Sequence, residues 1–216
     1  MDNLAARRQM VEQQIRTWEV LDPRVLDAIL QVPREAFVPA AYRELAFADA
    51  PIPIGYGQSM LAPKLQGRIL QAVQPGPGES VLEVGGGTGY LAACFGLLAQ
   101  STRSLEIRAE LAAIAQANLR SVPRARVRVE IRDAFAEGEP AEYDVIAVTG
   151  SMPVYDPRFE RQLRVGGRLF AVVGAAPVMD AILVRRVDTA EWVRESLFET
   201  VIDPLIHAPQ AERFVF

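Results

Sequence analysis

Cysteine and histidine are almost missing from this 216-residue chain, which has one of each. A lone Cys94 excludes an internal disulfide, and with His207 the only imidazole no Cys/His zinc site can be assembled. Ser-His-Asp or Cys-His catalysis would rest on that single residue near the C-terminus, which disfavours most hydrolase chemistry. Lysine is nearly absent too, Lys64 being the only one beside the many arginines. Because the two cations share most surface roles, this reads first as composition. No apolar run approaches the roughly 20 residues of a membrane span, and the N-terminus lacks the charged-then-apolar order of a signal peptide. A cytoplasmic location without membrane association is the expectation. A net charge of −4 argues against a global nucleic-acid footprint.

What is present is length and rhythm. A chain of this size buries roughly 70% of its unfolded surface and holds a core unaided. Residues 3–18 carry apolar side chains at helical spacing, and Asp22-Pro23 supplies an N-cap with proline at the first helical position. Prolines at 33, 39, 51, 53 and 63, with Gly55 and Gly57, predict a loop-rich, extended segment with a short helix around 39–46. A helix follows from Pro63 to about Val73. Beyond Gln74-Pro75-Gly76-Pro77-Gly78 the pattern alternates strand and helix: strands 80–84, 101–107, 127–131 and 143–149, helices 88–99 and 109–120. A short helix over 157–163, a strand over 168–173 and a hairpin of 181–187 with 193–201 complete it. The expected fold is α/β and Rossmann-like. It has a mostly parallel seven-stranded sheet with helices on both faces, a C-terminal antiparallel hairpin and an N-terminal helical extension, divided as 1–77 and 78–216.

The chemistry gathers at Val81-Leu82-Glu83-Val84-Gly85-Gly86-Gly87-Thr88-Gly89-Tyr90, a buried-type strand entering a glycine-rich turn that opens a helix. Such a turn lets a ligand approach the backbone beside free helix N–H groups. Tyr90 stands where a dinucleotide fingerprint has its third glycine, which disfavours NAD and leaves S-adenosylmethionine, a ligand without phosphates, as the better match. Three acids end successive strands. Glu83 can address the ligand's amino group, Glu106, 17 residues after Gly89, can accept from both ribose hydroxyls, and Asp133 can accept from the adenine amino group beside Ala134 and Phe135. Each alone reads as a solvated strand end; together they mark a site. Thr149 ends the strand facing the transferred methyl, while Asp144, at the opposite edge, reads as structural.

Several further runs carry a resemblance that spans most of the chain: Met10–Ile15, Val32-Pro33-Arg34-Glu35-Ala36-Phe37-Val38-Pro39, Ile52–Gln58, the glycine turn, Tyr143–Thr149 and Gln162–Leu169. The sequence resembles the protein-L-isoaspartate (D-aspartate) O-methyltransferases. The resemblance implies methyl transfer from S-adenosylmethionine to the α-carboxylate of isoaspartyl residues, with a damaged protein or peptide as partner. It also implies a substrate loop reading Gly-x-x-x-Thr-Ile-Ser-x-Pro. Here Ser59 matches the first hydroxyl position and Leu61 stands in place of the second. These two are the candidate residues at the reacting carboxylate. The C-terminal part resembles the family only loosely and looks shorter.

A carboxylate acceptor has a reference pKa near 4, is ionised at neutral pH and needs no general base, so the scarcity of histidine is no obstacle. Alignment toward the sulfonium methyl carries the rate. Three readings stay open at this point: an isoaspartyl methyltransferase, a methyltransferase of the same scaffold with another acceptor, and a non-catalytic adenosyl-binding protein. Lys64, one residue past Pro63, reads equally as a channel residue or a solvated helix-start lysine.

Overall fold

A computed structural model describes residues 3–136 and 142–210. Strand alternation organises it. In β3 (Ser80–Val84), Val81 faces one side of the sheet and Leu82 and Val84 the other, and the same two-residue period divides β6 (Tyr143–Met152) and β7 (Leu163–Ala175) between two apolar clusters. With β4 (Ser101–Glu106), β5 (Val127–Ile131), β8 (Val178–Asp188) and β9 (Glu191–Thr200), the sheet has seven strands in the order β5-β4-β3-β6-β7-β8-β9. The first five are parallel, and β8 and β9 close the sheet antiparallel. The fold is the expected Rossmann-like one. Its strand order reverses at β3, which has β4 on one side and β6 on the other, and such a switch point opens a ligand crevice at the strands' carboxyl ends.

The N-terminal helix is irregular. The predicted helix 3–18 starts as α1 (Asn3–Met10), widens to a π turn over Val11–Ile15 and tightens to a 3-10 turn over Arg16–Trp18. α2 (Pro23–Gln31) begins on the Asp22 cap, whose side chain accepts the Arg24 N–H at 2.9 Å. The loop-rich segment contains α3 (Arg34–Phe37), a 3-10 helix over Ala40–Leu45, and a small hairpin of β1 (Ile52–Gly55) and β2 (Gln58–Met60). α4 (Pro63–Val73) follows as predicted. Apolar residues of both parts, among them Met10, Phe37, Ile69, Phe95, Val145 and Phe170, form one cluster.

Three expectations change. The helix predicted over 88–99 is α5 (Tyr90–Leu98), because Gly89, with φ +90°, caps it. The short helix over 157–163 shrinks to a 3-10 turn over Glu160–Gln162, and β7 begins at Leu163 instead of 168. The helices also gather on one face: α2 and α4 join the first cluster with α5, and α6 (Ala109–Leu119) leans on α3 and α5. The other face is covered by Phe135, Tyr155, Phe159, Trp192, Leu205 and Ala208. Pro153 and Pro157 interrupt the β6–β7 connection, which leaves little room for a helix there. No described helix is long and apolar enough to cross a membrane.

Candidate active site

The carboxyl ends of β3, β4, β5 and β6 open into a cavity of about 940 Å³, the open solvent at its mouth included. Ser59, Leu61, Glu83, Gly85, Gly86, Gly87, Thr88, Glu106, Asp133, Ala134 and Thr149 all line it, so most of the sequence-predicted site converges on one space. Gly89 is the exception. It sits behind the turn, where a Cβ would meet Ala115 at about 3 Å, so its absence lets α5 and α6 pack and caps α5.

The turn is tied to the neighbouring strand. Gly85 and Gly86 donate their N–H groups to the Leu105 carbonyl at 2.9 and 3.1 Å. A side chain at Gly86 would run into Ser104 Oγ, beside the Glu83 carboxyl. Glu106 receives the Gly87 N–H on one oxygen at 2.8 Å and the Arg108 N–H on the other at 2.9 Å. A carboxylate has about four acceptor positions, so one on each oxygen is left toward the cavity. That is the number two ribose hydroxyls need. Thr88 lines the wall while its carbonyl accepts from Asn118 at 3.1 Å.

Glu83 is 1% exposed and accepts the Ser104 hydroxyl at 2.5 Å. Burial, with Glu106 nearby adding to it against the Ser104 bond, pushes its carboxyl up to about 8. A buried acid in this condition is poised to ionise when a cation enters. Asp133 behaves oppositely: burial opposes its ionisation, but the bonds from His207 at 2.7 Å and from the Phe135 N–H at 2.8 Å outweigh that and hold it below the usual carboxylate range. Ala134 and Phe135 supply the apolar wall beside it, Phe135 edge-on to Phe159 at 5.7 Å.

Thr149 is committed to scaffolding, donating its hydroxyl to the Val84 and Gly85 carbonyls at 2.9 and 2.8 Å while still touching the cavity. Asp144 is structural as expected, receiving Ser80 N–H and Oγ at 2.8 Å and pairing with Arg164 at 2.9 Å. Lys64 pairs with Asp49 at 2.9 Å and lies over the Trp18 ring, outside the cavity lining. Cys94 is buried, which pushes its thiol up to about 12 against the opposing pull of Tyr90 and Arg34 and disfavours the reactive thiolate.

The tail escaped the sequence reading. Ser151 and residues 203–205 exchange two backbone hydrogen bonds of 2.9 Å, which carry Leu205 and Ile206 into the cavity wall and His207 onto Asp133. The apolar pair Leu205-Ile206 behind Asp203-Pro204 was the available signal. From the other side, Gln58 reaches the Pro204 carbonyl at 3.4 Å. Arg34 lies in the Val32–Pro39 run, where no local pattern gives it a place at the site.

A profile of the protein-L-isoaspartate(D-aspartate) O-methyltransferases matches residues 5–208. The chain belongs to this family. A protein-L-isoaspartate O-methyltransferase of Koribacter versatilis is 39% identical over 202 residues, covering 93% of this chain and 90% of that protein. One from Roseiflexus castenholzii is 36% identical and covers 99% of both, so the expected shortness at the C-terminus is not general among isoaspartate methyltransferases. A Plasmodium falciparum protein assigned to the beta-aspartate methyltransferases and solved with S-adenosyl-L-homocysteine shares the fold, with a TM-score of 0.80 over 93% of this chain and 98% of that one at 19% identity. Family and fold make the protein an S-adenosylmethionine-dependent methyltransferase of class I architecture.

Proposed function

We propose that the chain methylates the α-carboxylate of L-isoaspartyl (D-aspartyl) residues in proteins or peptides, with S-adenosylmethionine as methyl donor. The observation that carries this reading is the meeting, in one cavity, of the strand-end acids Glu83, Glu106 and Asp133 with the Ser59–Leu61 segment of the acceptor loop.

The residues present fit the donor. Glu106 has an acceptor position left on each oxygen that would hold the ribose, Asp133 stands by an apolar wall suited to adenine, and Glu83 would take the amino group. When bound, S-adenosylmethionine supplies an electrophilic methyl on a sulfonium. The chain's own task is alignment: Ser59 offers a hydroxyl to an anionic acceptor, and Leu61, Leu205 and Ile206 keep the space apolar. No described group needs to remove a proton, since the acceptor is already a carboxylate.

Leu61 favours a second reading, an acceptor of the same scaffold without charge, because burying an unpaired carboxylate against leucine is costly. Incubation with labelled S-adenosylmethionine and an isoaspartyl peptide separates the two. Base-labile label on the peptide is expected; label absent from the peptide, with S-adenosylhomocysteine still bound, refutes the isoaspartyl assignment.

A further inference from the structure

The guanidinium of Arg34 is completely buried, and no carboxylate pairs with it among the described residues. Its nitrogens donate to the Ala46 carbonyl at 2.7 Å, to the Leu61 carbonyl at 2.9 Å and to the side-chain oxygen of Gln66, and the cation lies 5.0 Å from the Tyr90 ring centre. Leu61 and Gln66 are thus held side by side by two nitrogens of one planar group. Arginine has no acceptor, so the atom of Gln66 that meets it must be the amide oxygen. The amide orientation is forced. Gln66 is only 4% exposed and lines the cavity, and among the described residues no protein group accepts from its amide nitrogen. An amide N–H₂ fixed in direction and open to a cavity is a ready donor for an acceptor atom of a ligand.

We propose that Gln66 Nε2 donates to the acceptor carboxylate, supplying the polar contact that Leu61 cannot, and that Arg34 is the positioning residue that fixes the amide this way round. The inference rests on the isoaspartyl reading. Gln66 belongs to the acceptor side of the cavity because it shares its anchor with Leu61, whereas the cofactor side is built from the ends of β3, β4 and β5. The buried charge of Arg34 adds an attractive potential for an anionic acceptor behind that amide. It does so without touching the acceptor.

Gln66→Glu is the informative variant, because it keeps an oxygen on Arg34 and removes the N–H donors. S-adenosylhomocysteine affinity by calorimetry, melting temperature, and KM and kcat with an isoaspartyl peptide are measured for the parent, Gln66→Glu and Gln66→Leu. The expected result is an acceptor KM raised about tenfold or more in both variants, the scale of one hydrogen bond to a charged group. S-adenosylhomocysteine affinity should hold in both, and the melting temperature should fall only in Gln66→Leu, where Arg34 loses a partner. An unchanged KM in Gln66→Glu overturns the inference and leaves the isoaspartyl reading standing. Weaker S-adenosylhomocysteine binding with an unchanged peptide KM overturns it in favour of a cofactor-side role. A parent that binds S-adenosylhomocysteine but methylates no isoaspartyl peptide overturns both.

Discussion

The two halves of the cavity are built on different principles. On the cofactor side the polar groups stand at the ends of paired strands, and Glu106 and Asp133 each have both oxygens engaged by the protein before any ligand arrives. On the acceptor side the wall is a three-residue strand, a helix start and a tail, held by Arg34 and by the Asp203–Ser151 pairing. The first half is preorganised by the sheet and tolerates little change. The second is an assembly of loops on which acceptor preference can be altered without dismantling the fold.

Glu83 offers the largest effect with which to break this comparison, because burial works against its ionised form. Burial lifts its carboxyl from 4.5 to about 8. The folded state then holds a proton that the unfolded state has lost, so the contribution of Glu83 is full below about pH 4.5, falls as pH rises, and levels off above about pH 8. Over that window the loss amounts to as much as about 5 kcal/mol. Urea unfolding of Glu83→Gln against the parent should show the variant gaining relative stability between pH 5 and pH 8. A difference that is the same at both pH values would mean that Glu83 ionises as an ordinary surface acid. A cation at the site has the opposite preference, so adenosyl ligands should bind the parent better as pH rises toward 8, and this slope should vanish in Glu83→Gln.

Gly86→Ala comes next. The added methyl meets Ser104 Oγ, the hydroxyl that satisfies Glu83, so the variant must give up that bond or shift the turn. Together the strain and the lost bond are worth about 2–4 kcal/mol, and S-adenosylhomocysteine affinity should fall about 30-fold or more. Adding Ser104→Ala should restore part of it. No recovery in the double variant would locate the damage elsewhere than this contact.

Glu106→Ala removes the proposed ribose acceptor together with the partner of two backbone N–H groups, and calorimetry should show about 1.5–3 kcal/mol of lost S-adenosylhomocysteine affinity. Affinity equal to the parent's would take Glu106 out of the ligand's reach.

The same contrast explains what could be read from the sequence. Glu83, Glu106, Asp133 and the glycine turn were legible because strand period and chain order alone place them at one sheet edge. Asp144 was legible for the same reason, at the other edge. Leu205, Ile206 and His207 were not, since their place depends on a tail returning to Ser151, a contact between distant segments that no local periodicity encodes. Gln66 stands in the first turn of α4 with nothing in the local sequence to mark it, and only its pairing with Arg34, 32 residues away, gives it a direction. The extra length of β7 follows from the same limit, pairing with the neighbouring strands extending it back to Leu163 where the local pattern marks no strand.

The smallest expected effect sharpens the acceptor half itself. Leu61→Ser restores the hydroxyl pattern of the isoaspartate methyltransferases at one place, and the Arg34 bond to the Leu61 carbonyl holds the backbone there whatever the side chain. The new hydroxyl therefore enters at the position Leu61 now occupies beside Ser59 and Gln66 on the cavity wall. Against this, Leu61 packs on the main apolar cluster, so the variant loses stability of about 1–2 kcal/mol, visible as a lower melting temperature. Turnover with isoaspartyl peptide, measured well below that temperature, should nonetheless rise about tenfold, the yield of one modest hydrogen bond to a charged group. Ser59→Ala should lower it in the parent, where Ser59 is the hydroxyl on that wall. If neither change moves the rate, the acceptor carboxylate does not lie against this loop, and the distinction between a rigid cofactor half and an adjustable acceptor half has to be redrawn around the tail, starting with Leu205 and Ile206.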